Sequence, residues 1–305
     1  MPVLLSCALA LWLFVAVAGE LKGDTSLAVD GIYSIAARVF SLLCYVMVAF
    51  ILNSLRLFER RVGWLMSLFM WLAALSPFLN NNVLIAFSLL LLIASVAILF
   101  SCQFTAEHER ALFMVFALMG AASLLVPVFV MLLPLFVAFT FFSNIITLKR
   151  ALAMLLGLLT PFWLLFGVEY VYEPAKVLLS GMENFFVPEN FFAALPPFHV
   201  LLSMAVELVV LIPASVMFFA SSSSGKPLLR KRLLFVVMLN ICLIIMSFVV
   251  PKEGVLLYAC RVPGNAILMS YMFVQRITRF SNIYFIFVNL IWISLALYCL
   301  WMGLF

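Results

Sequence analysis

Six polar or ionisable residues lie within or beside long apolar stretches of the sequence: Arg38, Glu169, His199, Glu207, Arg261 and Asn265. A charge placed in hydrocarbon costs free energy and usually has a partner, so such residues are candidate binding or proton-relay groups. Counted at about 1.5 Å per helical residue from the outer ends of the predicted spans, Arg38 lies about 9 Å deep and Glu207 lies near the midplane. Arginines at this depth can face an anion such as a lipid phosphate, with a carboxylate as base or proton carrier.

Backbone groups near Arg261 could also take part in binding, because Pro263, Gly264 and Asn265 follow it. A Pro-Gly pair can break a helix and free backbone hydrogen-bonding groups. We therefore predict that the six residues form a substrate-binding set in the outer half of the protein. The competing interpretation, which the sequence favours slightly, is a buried ion pair of Glu207 with Arg261, or with Arg38, that only fixes how the helices pack.

The amino-acid composition indicates which kind of secondary structure carries these residues. Of 305 residues, 68% are hydrophobic and 10% are charged, whereas soluble domains are about half apolar and a quarter charged. Lipid must therefore be the solvent for most of the chain, which excludes a nucleic-acid-binding protein and a soluble enzyme. The apolar stretches are continuous, so the sequence predicts an all-α, polytopic transmembrane helical bundle that forms one integral membrane domain over residues 1–305.

The number of spans depends on residues 111–142, which are too long for one ordinary crossing. If this segment breaks near Pro127 and crosses twice, Lys149, Arg150 and the basic cluster at 226–232 all fall on the cytoplasmic side, as the positive-inside rule requires. We therefore predict about 11 spans, or 10 if 111–142 crosses once, with a cytoplasmic N-terminus and a periplasmic C-terminus. A cleaved signal peptide over 1–18 is the less favoured alternative for the first span, because no Lys or Arg precedes its apolar run.

Two loops have distinctive sequences. In the outer loop of about 171–195, the motif Glu-Asn-Phe-Phe occurs at 183–186 and again at 189–192. Paired Phe residues beside Glu and Asn suit the headgroup layer, so the sequence predicts an interfacial anchor, with a lid over an outward cavity as the alternative. The loop of about 221–232 is basic and is predicted to be cytoplasmic.

Signatures of catalysis are missing from the sequence. The six cysteines form no C-x-x-C pair, and no H-E-x-x-H, G-x-S-x-G or G-x-G-x-x-G motif occurs. Glu107, His108 and Glu109 are consecutive and cannot all converge on one metal ion. The sequence thus predicts neither a metal nor a cofactor, and it leaves the question of an enzyme open while favouring a non-enzyme.

Several apolar motifs lie along about half of the chain. They are Leu52-Asn53, Ser76-Pro77-Phe78, Gly120-Ala121-Ala122-Ser123-Leu124, Arg150 with Leu155-Leu156-Gly157-Leu158-Leu159-Thr160-Pro161, and Pro263 with Ala266-Ile267-Leu268 and Tyr271. With these motifs the chain resembles an uncharacterised family of polytopic membrane proteins from Bacteroidota. The resemblance implies placement in a bacterial inner membrane.

Three function classes remain compatible with the sequence. The favoured hypothesis is a non-enzymatic or assembly subunit that acts in envelope biogenesis. The alternative is a transporter or flippase for an anionic or lipid-linked substrate, and the third is a lipid-linked glycan transferase or polymerase. In each case membrane lipids are the expected partners, a lipid-linked saccharide or other membrane proteins are further candidates, and nucleic acid is not expected.

Overall fold

The described part of the chain is helical. The computed structural model describes residues 83–102, 107–143, 146–171, 227–250 and 254–275, with separate helical positions within 39–47, 202–216 and 283–294. No strand occurs in these ranges, so the all-α prediction is confirmed for them. The elements are α1 (Val83–Ser101), α2 (His108–Leu125), a 3₁₀ helix (Pro127–Leu132), α3 (Leu133–Phe142), α4 (Leu148–Val171), α5 (Pro227–Val249) and α6 (Gly254–Gln275).

Four stretches are long and apolar enough to cross a membrane: Val83–Ser101, His108–Leu125, Leu148–Val168 and Leu229–Val249. These helices agree with a membrane protein, while the total of about 11 spans remains a prediction. Helix α6 is not among the four, although it has 22 residues. Unlike those four, it carries an arginine well inside the helix, Arg261, rather than only near its first turn.

The chain divides into two compact units. The terminal unit comprises Met1–Ala86 and Leu195–Phe305, and the central unit comprises Phe87–Ala194. Helices α5 and α6 belong to the terminal unit, and α2 to α4 belong to the central unit. The expectation of one integral membrane domain remains a prediction.

In the central unit the helix break near Pro127 is confirmed. Helix α2 ends at Leu125, Val126 has extended backbone angles (φ −137, ψ 95), and Pro127 begins the 3₁₀ helix. Proline suits this place because its fixed φ matches a helix start and its missing N–H would have no partner there. The 3₁₀ helix and α3 together extend for about 27 Å, which matches the length of α2.

Contacts between α2 and α4 show that the chain reverses at this break. A Cβ on Gly157 of α4 would overlap the carbonyl oxygen of Phe113 in α2. Seven residues further along α2, a Cβ on Gly120 would lie 2.8 Å from the carbonyl oxygen of Leu158 and 3.1 Å from Cγ of Pro161, which are one and four residues further along α4. The order of these contacts makes α2 and α4 parallel, so the segment between them must return the chain to its starting end. The Phe100 and Phe139 rings, 5.8 Å apart, likewise place the end of α3 beside the end of α1.

Helix hydroxyls are satisfied within their own helices. Ser123 Oγ donates to the carbonyl of Gly120 at 2.7 Å, and Thr160 Oγ1 donates to that of Leu156 at 2.6 Å. Thr140 and Ser247 bond in the same way to the preceding turn. Such bonds remove the cost of placing a hydroxyl in hydrocarbon, where no water is available.

The two glycines of α4 provide a matched test of this packing. Gly157 lies against the backbone of α2, whereas a Cβ on Gly167 would meet nothing within 4 Å. We expect Gly157→Ala to destabilise the protein by about 1–3 kcal/mol, because backbone cannot move aside as a side chain can. Gly167→Ala should be neutral or slightly stabilising, since alanine is the better helix former. Thermal melting in detergent, followed by tryptophan fluorescence, measures both, and equal shifts would contradict the contact.

Candidate functional site

The middle of α6 is buried on every side. All residues from Cys260 to Leu268 are buried, and Arg261 and Asn265 are each only 2% exposed. These two side chains are four residues apart, so they lie on one face of the helix, with Gly264 on the same face. A helix that is enclosed on all sides is normally apolar all round. An arginine and an asparagine at this place therefore mark a polar centre in the terminal unit.

The backbone of this centre is altered by Pro263. A proline inside a helix cannot donate to the carbonyl four residues earlier, which here belongs to Ala259. Helix α6 nevertheless continues through Pro263 to Gln275. The predicted Pro-Gly feature therefore leaves α6 unbroken but removes one of its internal hydrogen bonds.

Asn240 of α5 completes the polar centre. It is 1% exposed, and its side-chain amide lies directly on Gly264. A Cβ on Gly264 would overlap Nδ2 and would lie 2.9 Å from Oδ1. Only glycine leaves room for the amide at this crossing. Asn240 and Gly264 are each about 14 Å along their helices from the short 250–253 connection, so they meet deep within the α5–α6 pair.

The orientation of the Asn240 amide follows from its neighbours. Nδ2 donates to the carbonyl oxygen of Val236 at 2.9 Å. Turning the amide over would bring two oxygens together, so this bond determines which atom is Oδ1. Within the described part of the chain, Oδ1 receives no hydrogen bond. Asn240 could not be recognised from the sequence, because a single asparagine in an apolar run has no informative spacing.

The structure tests only part of the predicted substrate-binding set. It brings Arg261 and Asn265 together on α6. Arg38, His199 and Glu207 lie outside the described residues, so the pairing of Glu207 with Arg261 or Arg38 remains a prediction. Glu169 belongs to α4, but its side chain is outside the description. The duplicated segment 183–192 is outside it as well.

A second polar cluster lies where α1 ends and α2 begins, in the central unit. His108 Nδ1 lies 2.8 Å from the carbonyl oxygen of Cys102 and 3.6 Å from its Sγ. The carbonyl only accepts, so Nδ1 carries the proton in this contact. Burial raises the pKa of the Cys102 thiol, and the positive charge of Arg150 opposes that rise. The thiol is therefore neutral at pH 7, and the cluster ties the two helix ends together.

The acidic residues of this turn face solvent. Glu107 and Glu109 are exposed, and Glu107 forms a 2.8 Å ion pair with Arg110. At this exposure such a pair contributes at most about 1 kcal/mol. Among the described residues, no group of three His, Cys, Asp or Glu side chains could hold a metal ion.

Comparison with known proteins gives no relative. No protein-family model, curated protein or solved structure matches this chain. The resemblance to a family from Bacteroidota therefore remains a prediction.

A double-mutant cycle tests the contact at the centre of the site. Gly264→Ala should destabilise the protein because its Cβ displaces the Asn240 amide. In an Asn240→Ala background the amide is gone, so the same change should cost less, with a coupling energy of about 0.5–3 kcal/mol. Melting temperatures of the four proteins in one detergent measure it. Strict additivity would show that the amide and the glycine do not touch.

Proposed function

We propose that the protein is a multi-pass protein of the bacterial inner membrane that binds an anionic or lipid-linked substrate within the bilayer, as a transporter or flippase of the envelope does. The observation that carries this proposal is the polar centre of α6. It combines Arg261, Asn265 and Asn240 with a proline in the helix, in a segment that is otherwise enclosed by apolar residues.

The energetics of burial support a binding role for Arg261. On insertion scales an arginine at the centre of a spanning helix costs about 2.5–3.5 kcal/mol. Removed from water, its guanidinium attracts an anion far more strongly than an exposed arginine does. A buried Arg beside a proline-interrupted hydrogen-bond ladder therefore suits an anion site better than a purely structural contact.

A second candidate is the assembly subunit that the sequence favours. The specific observation for it is the outward face of α4, where Leu152, Leu156, Leu159 and Trp163 are all exposed and Trp163 is 73% exposed. The opposite face of α4 packs closely on α2 through Gly157. A firmly held helix with an exposed apolar face is suited to contact another membrane protein as well as lipid.

Retention of anionic lipid tests the transporter proposal. Wild-type protein in neutral detergent should retain phosphatidylglycerol through purification, as counted by native mass spectrometry. Arg261→Gln should retain about tenfold less, because the buried cation that holds the phosphate is lost. Arg261→Lys should fall between the two, since it keeps the charge but not the bidentate geometry.

Arg230 supplies the matched control. It is exposed at the start of α5, so Arg230→Gln removes the same charge from the surface and should leave retention close to that of the wild type. If Arg261→Gln melts at a lower temperature yet retains lipid normally, Arg261 has a structural role and the substrate-binding proposal fails.

Photocrosslinking tests the assembly candidate. A photoreactive residue at Leu156, which is exposed, should form a defined protein adduct in cells if α4 binds a partner. The same residue at Met154, which is buried on the other side of α4, should give none. Lipid adducts alone at both positions would indicate that the face of α4 meets only the bilayer.

A further inference from the structure

The side-chain oxygen of Asn240 is a buried hydrogen-bond acceptor. Within the described part of the chain it is buried and receives no hydrogen bond, although the nitrogen of the same amide donates to the carbonyl oxygen of Val236. Leaving an acceptor buried and unsatisfied costs the free energy of removing it from water. An apolar residue of similar size, such as leucine, would avoid that cost at this position. The oxygen is thus available to accept a hydrogen bond from a bound molecule.

The position of this oxygen is well determined. The carbonyl of Val236 holds the amide on one side, and the backbone of Gly264 supports it on the other. The oxygen therefore cannot turn to find another donor without breaking the bond to Val236. A fixed acceptor is pre-organised for a ligand, because little ordering is required when the ligand binds.

Arg261 offers the opposite chemistry. A guanidinium only donates, whereas the Asn240 oxygen only accepts. Arg261 is three residues from Gly264, which corresponds to about 4.5 Å along the axis of α6, and both lie on one face. A molecule that contacts both groups would present an anionic acceptor to Arg261 and, close to it, a hydrogen-bond donor to the Asn240 oxygen.

We infer that the substrate carries a hydroxyl group beside a phosphate, as a polyol phosphate does, with the phosphate facing Arg261 and the hydroxyl donating to Asn240 Oδ1. This inference rests on the proposed function and names its substrate class. The same chemistry occurs in a lipid headgroup such as phosphatidylglycerol and in a free polyol phosphate. A site that is built to accept from a hydroxyl rejects an analogue that lacks it, because its buried acceptor then remains unsatisfied.

Two pairs of probes isolate the hydroxyl while keeping the charge the same. The lipid pair is phosphatidylglycerol and phosphatidylmethanol, and the soluble pair is glycerol 3-phosphate and methyl phosphate. Binding to the purified full chain is measured by native mass spectrometry for lipids and by thermal stabilisation for soluble probes. In at least one pair the wild type should bind the hydroxyl-bearing probe about tenfold more tightly than its methyl analogue. A preference in the lipid pair indicates a lipid headgroup as the substrate, and a preference in the soluble pair indicates a free polyol phosphate.

Variants of α5 test whether the preference for the hydroxyl-bearing probe depends on Asn240. Asn240→Leu should reduce the ratio to about one while leaving the affinity for the methyl probe nearly unchanged. Ser247→Ala is the matched control on α5, because its hydroxyl already bonds to Leu243, and it should keep the wild-type ratio. If Asn240→Leu does not fold, Asn240→Ala replaces it.

The results distinguish a failure of the hydroxyl inference from a failure of the proposed anion site. A wild-type ratio near one in both pairs overturns the hydroxyl inference, as does a preference that survives the loss of Asn240. In either case, weaker binding of the methyl probes by Arg261→Gln would still support an anion site. If Arg261→Gln binds all four probes as the wild type does, the anion site and the inference fail together.

Discussion

A polar group inside a membrane-spanning helix must find its hydrogen bonds within the protein, since hydrocarbon offers none. This constraint explains the described helices. Their hydroxyls bond to carbonyls of the preceding turn, as Ser123 and Thr160 do. The amide nitrogen of Asn240 also donates in this way, to Val236, whereas its oxygen receives no hydrogen bond within the described part of the chain. This oxygen lies beside the helix face that carries Arg261, so the α5–α6 pair combines a buried acceptor with a buried cation.

Glycine allows close contact in two helix pairs, α2 with α4 and α5 with α6, but the contacts differ in kind. At Gly157 and Gly120 two backbones approach each other, and nothing polar is brought in from a side chain. That contact holds the central unit together and fixes the parallel direction of α2 and α4. At Gly264 the space is filled by the amide of Asn240. The same residue type thus serves close packing in one unit and admits a polar group in the other.

Part of this architecture is predictable from sequence, because lipid restricts the backbone to helices. The break near Pro127 is predicted from charge, because two crossings by 111–142 would place Lys149 and Arg150 on the same side as Arg110, and the structure has a break there. Burial of Arg261 and Asn265 side by side follows from their spacing of four. The role of Asn240 is not predictable, because it depends on which residue of α6 lies against it. A single sequence does not indicate where two helices contact each other.

Interpretation of the α5–α6 pair depends on what Arg261 faces when substrate is present. A cryo-electron microscopy map of the protein in nanodiscs that contain phosphatidylglycerol would show this most directly. The account predicts density for a headgroup that reaches both the Arg261 guanidinium and the Asn240 oxygen. A map in which a carboxylate such as that of Glu207 saturates Arg261, with no further density at Asn240, would contradict it and would leave the polar centre as a structural ion pair.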